Sequence, residues 1–313
     1  MLRKNLLPFI EDYLGLLSNS LEELDASYRL TNIQKCWLGF CIAGILMTNS
    51  INWAAFSRAG YGSWSDKALS WMFRQSKLNW DKLFEHSIRV LLKKYEIKEG
   101  SIEIDDTERE RSKNAKHLHH QGKQKDKKSG GYFVGQSIIF LLLVSNKISI
   151  PVGFKFYKMD PVLKEWQQED KRLLKLGIKK KDRPAEPERS DLYPTKNRIA
   201  IELVSEFNLK FGDIKIKSIG ADALYGTGEF MDGVAEIYPK AQIISQIRSN
   251  QKIEIEGKDV VVSDYFTKEK AKKGTLIIRG GKSVWGAIGN CPQEIAFCEN
   301  LINSYLNIND LYF

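Results

Sequence analysis

At Ser101 the hydrophobic period of the chain changes from that of a helix to that of a strand, and this switch limits the folds open to it. Before that point apolar residues recur at i, i+3 and i+4 in segments such as 9–17 and 80–92, the spacing that lines one face of an α-helix. After it Ile102 and Ile104 alternate with Ser101 and Glu103, and the run ends in Asp105, Asp106 and Thr107. A helical block followed by a strand-led block predicts two folding units, and 313 residues are enough for each to bury a core. The expected organisation is an all-α domain over 1–99, an α/β core over 100–250, a β-rich segment over 251–282 and an atypical tail over 283–313.

Within the helical block Gly60-Tyr61-Gly62 interrupts the period, and Ser63, Ser65 or Asp66 is placed to cap a fresh helix running through Leu69, Met72 and Phe73. The block reads either as a helix-turn-helix DNA-binding domain or as a bundle that packs on its neighbour, with no recognition-helix signature to separate the two. Trp53, Trp64 and Trp71 read as core aromatics more readily than as platforms for bases.

Beyond the acidic strand end, residues 109–128 carry eight Lys or Arg, three His and two acids before the turn signal Ser129-Gly130-Gly131, and read as an exposed basic loop. Residues 133–144 and 148–157 read as two long paired strands joined through Ser145-Asn146-Lys147, making a three-stranded antiparallel start with the Ile102 strand. The highly charged stretch 159–194, with Lys179-Lys180-Lys181 and prolines at 184, 187 and 194, reads as an excursion from the core, after which 195–207 resumes a helical period. Ile214, Ile216 and Ile219 then lead to Ala221-Asp222-Ala223, residues 229–234 read as a short helix, and 241–247 as a buried strand. Residues 252–255, 259–262 and 275–278 are strand-like.

Lys and Arg number 48 against 39 Asp and Glu, a net charge of +9 that suits a polyanionic partner, whether nucleic acid or an acidic membrane surface. The longest apolar run, 36–47, falls short of the roughly 20 residues of a membrane span, and the N-terminus carries no signal-peptide pattern. No membrane partner and a cytoplasmic, nucleoid-associated location are therefore expected. Cys36, Cys41, Cys291 and Cys298 have no metal-ligand spacing and read as reduced packing residues.

Two carboxylates stand where chemistry could use them. Cleaving or transferring a phosphodiester demands stabilisation of charge on both the attacking and the leaving oxygen, which two divalent ions about 3.5 to 4 Å apart supply. Hard ions such as Mg2+ or Mn2+ take oxygen ligands, so a two-metal site needs acids at the ends of neighbouring strands within a surface basic enough to hold DNA. Asp106 and Asp222 fit, each following a β-patterned run, although a strand-terminal Asp also commonly caps a turn. His117, His119 and His120 lack the Cys or carboxylate neighbours of a zinc site, and Gly226-Thr227-Gly228 reads as a flexible turn, since no complete phosphate-binding motif is present.

From Ser101 to Gly281 the sequence resembles the DDE transposases of bacterial insertion sequences, in the group whose third carboxylate lies in a Tyr-Arg-Glu-Lys signature. The resemblance rests on Ile104-Asp105-Asp106-Thr107, the basic stretch with Gly130-Gly131, the apolar strand pair and Pro151-Val152-Gly153-Phe154. It continues through Gly220-Ala221-Asp222-Ala223-Leu224-Tyr225-Gly226 and Ile247-Arg248-Ser249-Asn250. It implies an RNase H-like mixed sheet with flanking helices and a β-rich insertion. Asp106 then corresponds to the first metal ligand, with Asp105 as the alternative, and Asp222 to the second. Adjacent strand residues point to opposite faces, so only one of Asp105 and Asp106 is expected to reach the metals. Arg248 corresponds to a DNA-contacting position, and Arg109, Arg111, Lys113, Lys116, Lys123, Lys125, Lys127 and Lys128 are the phosphate-facing candidates of the basic stretch. The implied partners are DNA, as element ends and as target, and a second copy of the chain in a homodimeric nucleoprotein complex.

The sequence departs from that family where the third carboxylate should stand. No Tyr-x2-Arg-x3-Glu-x6-Lys pattern occurs, and residues 283–313 contain no Lys or Arg although the preceding 282 contain all 48. The expectation is a frameshifted or prematurely ended C-terminus, with Glu294 and Glu299 as weak replacement ligands. The resemblance thus implies metal-dependent DNA strand cleavage and strand transfer, impaired or lost here for want of that ligand. The competing expectations are a DNA-binding remnant that inhibits intact transposase, and a simple RNase H-type nuclease.

Overall fold

A computed structural model describes residues 6–111, 118–125, 129–246, 250–255, 258–261, 263–264, 275–278 and 285–288. The chain divides into two compact units, one reaching to Ile97 and the other beginning at Lys98. The protein is mixed α/β, with eight α-helices and a six-stranded mixed sheet among the described residues.

The first unit holds helices α1 (Pro8–Leu24), α2 (Asn32–Thr48), α3 (Trp53–Ala59), α4 (Asp66–Gln75) and α5 (Trp80–Lys94). Pro8 opens α1 at a position whose N–H would have no helical partner. Thr31 and Gln34 form a reciprocal capping box at the start of α2. Of the three candidate caps before α4, Ser65 is the one used, its hydroxyl accepting from the Ala68 N–H at 3.1 Å. Ile10, Leu14, Leu17 and Leu21 bury one stripe of α1 in a core with Trp37, Phe40, Phe56 and Leu69. The Trp37 ring lies 6.1 Å from that of Trp53 and donates its indole N–H to the Leu69 carbonyl at 3.2 Å. Trp64 packs on Phe40, whereas Trp71 is exposed and outside the core. Cys41 is buried, but Cys36 is exposed and does not have the packing role expected of it. No single described helix is long and apolar enough to cross a membrane; α2 and α3 pass only as a pair, and that pair is bent by 87°.

The second unit contains β1 (Glu99–Glu110), β2 (Gly122–Lys125), β3 (Tyr132–Val144), β4 (Ser149–Tyr157), α6 (Pro161–Lys175), α7 (Lys196–Phe211), β5 (Lys215–Ala221), α8 (Gly228–Ile237) and β6 (Gln242–Ser245). β3 pairs antiparallel with β1 along one edge, and along the other with β4 and β2, which lie end to end. β1 then pairs parallel with β5, and β5 parallel with β6. Across the sheet the order is β4, β3, β1, β5, β6, with β2 extending the β4 edge. Two small antiparallel pairs follow, β7 (Lys252–Ile255) with β8 (Lys258–Val261), and β9 (Thr275–Ile278) with β10 (Trp285–Ile288).

One face of the sheet is the core. Ile102 and Ile104 stand in register with Ile219 and Ala221 on one side and Leu143 and Leu141 on the other, all at most 2% exposed. Helix α7 covers this face with Ile199, Leu203, Val204 and Phe207, so closely that a Cβ on Gly153 of β4 would lie 3.2 Å from a Leu203 methyl. α8 packs beside it, where a Cβ on Gly233 would lie 2.8 Å from Ile201.

The structure departs from the sequence reading in three places. The stretch expected to be a basic loop is in part strand: β1 runs on to Glu110 and β2 forms from Gly122, because the 13-residue β3 offers backbone partners beyond the last apolar residue of β1. The charged excursion contains α6, whose only buried side chain is Leu163 and whose start is capped by the buried Asp160, which accepts from the N–H groups of Val162 and Ser190. Strand pairing also continues past residue 282, into β10.

On the sheet face opposite Ile102 and Ile104, Glu103 lies over Gly220, where any side chain would collide with its carboxylate. Burial pushes the Glu103 carboxyl up from 4.5 to about 7. The folded protein therefore holds this proton more tightly than the unfolded chain, and stability falls as pH rises from 4.5 to about 7. The Glu103→Gln variant is expected to lose that decline, a difference of about 1–3 kcal/mol between urea unfolding at acid and at mildly alkaline pH.

Candidate metal centre

The last paired positions of β1 and β5 are Ile104 and Ala221, so Asp105 and Asp106 on β1 and Asp222 just after β5 reach the same end of the sheet. One oxygen from each of the three carboxylates lies within 4.8 Å of the others. All three residues are half-buried.

Asp106 shares the face of Ile102 and Ile104, and Asp105 the opposite one, yet an oxygen of each lies within 4.8 Å of the other and of one on Asp222. Pairing between β1 and β5 stops at Ile104, so Asp105 meets no strand on that edge, and its Oδ1 turns back to accept from the Asp106 N–H at 2.8 Å. Asp222 is fixed by a local turn: its Oδ1 accepts from the Leu224 N–H at 2.8 Å, and its carbonyl from the Ser245 hydroxyl at 2.8 Å.

Two further groups belong to the site, and neither was expected from sequence. The Lys196 ammonium, at the first position of α7, is ion-paired with Asp106 Oδ2 and lies 5.3 Å from the centre of the Tyr157 ring. Tyr225 is fully buried, and its hydroxyl has no hydrogen-bond partner among the described residues. Burial first, then the charges of Asp106, Asp222 and Asp105, raise its pKa well above the usual phenol range, so it stays a neutral donor beside the carboxylates. The sequence signal for Lys196 was only its place after a capping Thr195; for Tyr225 there was none beyond the turn after β5.

The turn itself is structural. A side chain at Gly226 would collide with the Gln246 carbonyl, and the Gly226 carbonyl accepts from the Gln251 side-chain amide at 2.7 Å. Thr227 caps α8, its hydroxyl accepting from the Phe230 N–H at 3.3 Å and from the Asn197 amide at 2.8 Å. Gly226-Thr227-Gly228 is thus a close-packed turn and helix cap.

Of the basic candidates, Arg109 is exposed on β1 opposite Gln136. Arg111 donates its backbone N–H to Val134 at 2.8 Å and its Nε to the Gln136 side chain at 3.0 Å. Lys123 on β2 is exposed, its ammonium 4.6 Å from the centre of the exposed Tyr132 ring, and Lys125 pairs opposite Tyr132. Lys113, Lys116, Lys127, Lys128 and Arg248 lie outside the described residues, as do His117, Glu294 and Glu299. His119 and His120 stack on each other at 3.8 Å and rest against β4, His120 bonding the Phe156 carbonyl at 3.3 Å.

The oxygen-only donor set suits a hard divalent cation such as Mg2+ or Mn2+, and the orphaned Tyr225 hydroxyl beside it has the hydrogen-bonding capacity that a hydrated ion uses. Compared with protein-family models, characterised proteins and solved structures, the chain has no significant match.

A Gly226→Ala substitution is expected to force the turn away from Gln246 and destabilise the second unit by about 1–3 kcal/mol, read as a lower urea midpoint at an unchanged slope.

Proposed function

We propose that the unit from Lys98 onward is an RNase H-like core that carries out metal-dependent DNA strand cleavage and strand transfer for an insertion sequence. The observation that carries this reading is the carboxylate cluster of Asp105, Asp106 and Asp222 where the parallel pairing of β1 with β5 stops. Three antiparallel strands followed by two parallel ones support the RNase H-like assignment, and the strand pairs after β6 stand where the transposase resemblance places its β-rich insertion.

Asp106 and Asp222 would hold the cation pair, with Asp105 as the adjoining third carboxylate. Mg2+ or Mn2+ held there would supply charge stabilisation at the attacking and leaving oxygens of a phosphodiester. Water displaces the 3′ oxygen at an element end, and the freed 3′ hydroxyl then attacks a phosphorus of target DNA and displaces its 3′ oxygen. Arg109, Arg111 and Lys123 hold backbone phosphates near the strand end that carries the acids, a role for charge without base recognition. The DNA partners are element ends and target, and a second copy of the chain pairs the two ends.

One sequence observation favours a second reading, a DNA-binding protein that occupies element ends without cutting them: the Tyr-x2-Arg-x3-Glu-x6-Lys pattern does not occur. Mg2+-dependent nicking of a labelled duplex carrying the element's ends separates the two. Cleavage is expected, reduced by at least about 100-fold in Asp106→Ala and in Asp222→Ala. Binding with no nicking by the unaltered chain would instead select the second reading, and cleavage without joined products would mark a hydrolytic nuclease. Neutralising Arg109 or Lys123 is expected to lower the salt dependence of duplex affinity by about one unit of log–log slope each.

A further inference from the structure

We infer that Lys196 is the resident cation of the carboxylate centre: its ammonium holds Asp106 Oδ2 in the absence of metal and is displaced from it when a divalent ion binds. This rests on the metal reading proposed above and adds a competitor for the same oxygen.

Lys196 sits where a helix does not favour it. It is the first residue of α7, behind the Thr195 cap, where unsatisfied N–H groups give the helix a partial positive charge. Its side chain nevertheless turns into the site, 19% exposed against 12% for Asp106, with the face of the Tyr157 ring as its second neighbour. The position is accounted for by the carboxylates.

Three carboxylate oxygens within 4.8 Å of one another repel unless a positive charge stands among them. A divalent ion can accept oxygens from all three carboxylates at once, whereas the Lys196 ammonium is paired with Asp106. The Tyr225 hydroxyl supplies an independent sign of a further ligand: fully buried, close enough to all three acids to feel their charge, and without a hydrogen-bond partner among the described residues. A lysine suits a displaceable role, since its compact charge rides on a flexible four-carbon stem and forms no rigid bidentate fork.

The test uses the full chain with Mn2+ as the probe. Calorimetry and the electron-spin signal of free Mn2+ give the affinity of the unaltered protein and of Lys196→Met, Lys196→Arg and Asp222→Asn. Acylation of Lys196, mapped by mass spectrometry with and without Mn2+, reports directly whether the amine is released. The expected results are about tenfold or greater tightening in Lys196→Met, several-fold weaker affinity than the unaltered chain in Lys196→Arg, and several-fold faster acylation of Lys196 once Mn2+ is bound. Mn2+ binding that is lost in Asp222→Asn, with acylation of Lys196 unchanged by the metal, would overturn the displacement and leave the metal reading standing. No Mn2+ binding by the unaltered chain would overturn both. Should Lys196→Met fail to fold, acylation of the unaltered protein decides alone.

Discussion

The parallel pairing of β1 with β5 is the contact on which the second unit depends. β5 ends at Ala221 while β1 runs on beside β3, so the register that sets Ile104 beside Ala221 also brings Asp105, Asp106 and Asp222 to the point where the two strands part. A one-residue slip would turn Ile102 and Ile104 out of the core and carry Asp106 away from Asp222, so burial and site geometry are fixed by the same register. Parallel strands cannot be joined by a hairpin, and the chain must cross over the sheet to return. That crossover is α7, whose apolar face closes the core over β3 and β4 and whose first residue arrives at Asp106. The counter-charge is thus delivered by the element that the topology already requires.

How much of this was legible in the sequence follows from what stabilises each part. The strands holding Ile102, Ile139, Ile150, Ile219 and Ile243 were readable because their own apolar residues pay for their burial. The second half of β1 and all of β2 carry no such pattern; they are strand because β3 offers them backbone partners, a long-range fact with no local mark. Helix α6 was obscured in the same way, by a charged composition in which a single Leu is buried. Asp106 and Asp222 could be singled out because each follows an apolar strand pattern that could be seen, although β1 itself runs on past Asp106. Lys196 could not, since its partner is 90 residues away in sequence, and Tyr225 announces itself only through a burial that no periodicity predicts.

Two acids three residues apart on β1 show how differently one strand can treat a carboxyl group. Glu103 lies over Gly220 with no hydrogen-bond or ionic partner among the described residues, and burial alone acts on it, favouring the protonated form. Asp106 is as enclosed but has Lys196, so the cost of its burial is offset by a paired charge. The first arrangement favours uptake of a proton; the second favours keeping a cation. Asp105 and Asp222 are then brought close against the Asp106–Lys196 pair, three carboxylates in one place.

That excess is the strongest structural argument that the cluster serves chemistry. Sequences ordinarily avoid placing like charges together at a half-buried sheet end, and persistent local conflict of this kind gathers at functional sites. The surrounding groups are matched to it: a phenol kept neutral by burial and then by the charges beside it, a lysine on a flexible stem, and a close-packed turn at Gly226 in which Asp222 accepts from the Leu224 N–H and the Ser245 hydroxyl. On the proposed displacement the Lys196 ammonium is the part of the site that would change, so a metal would enter without reorganising the fold around it.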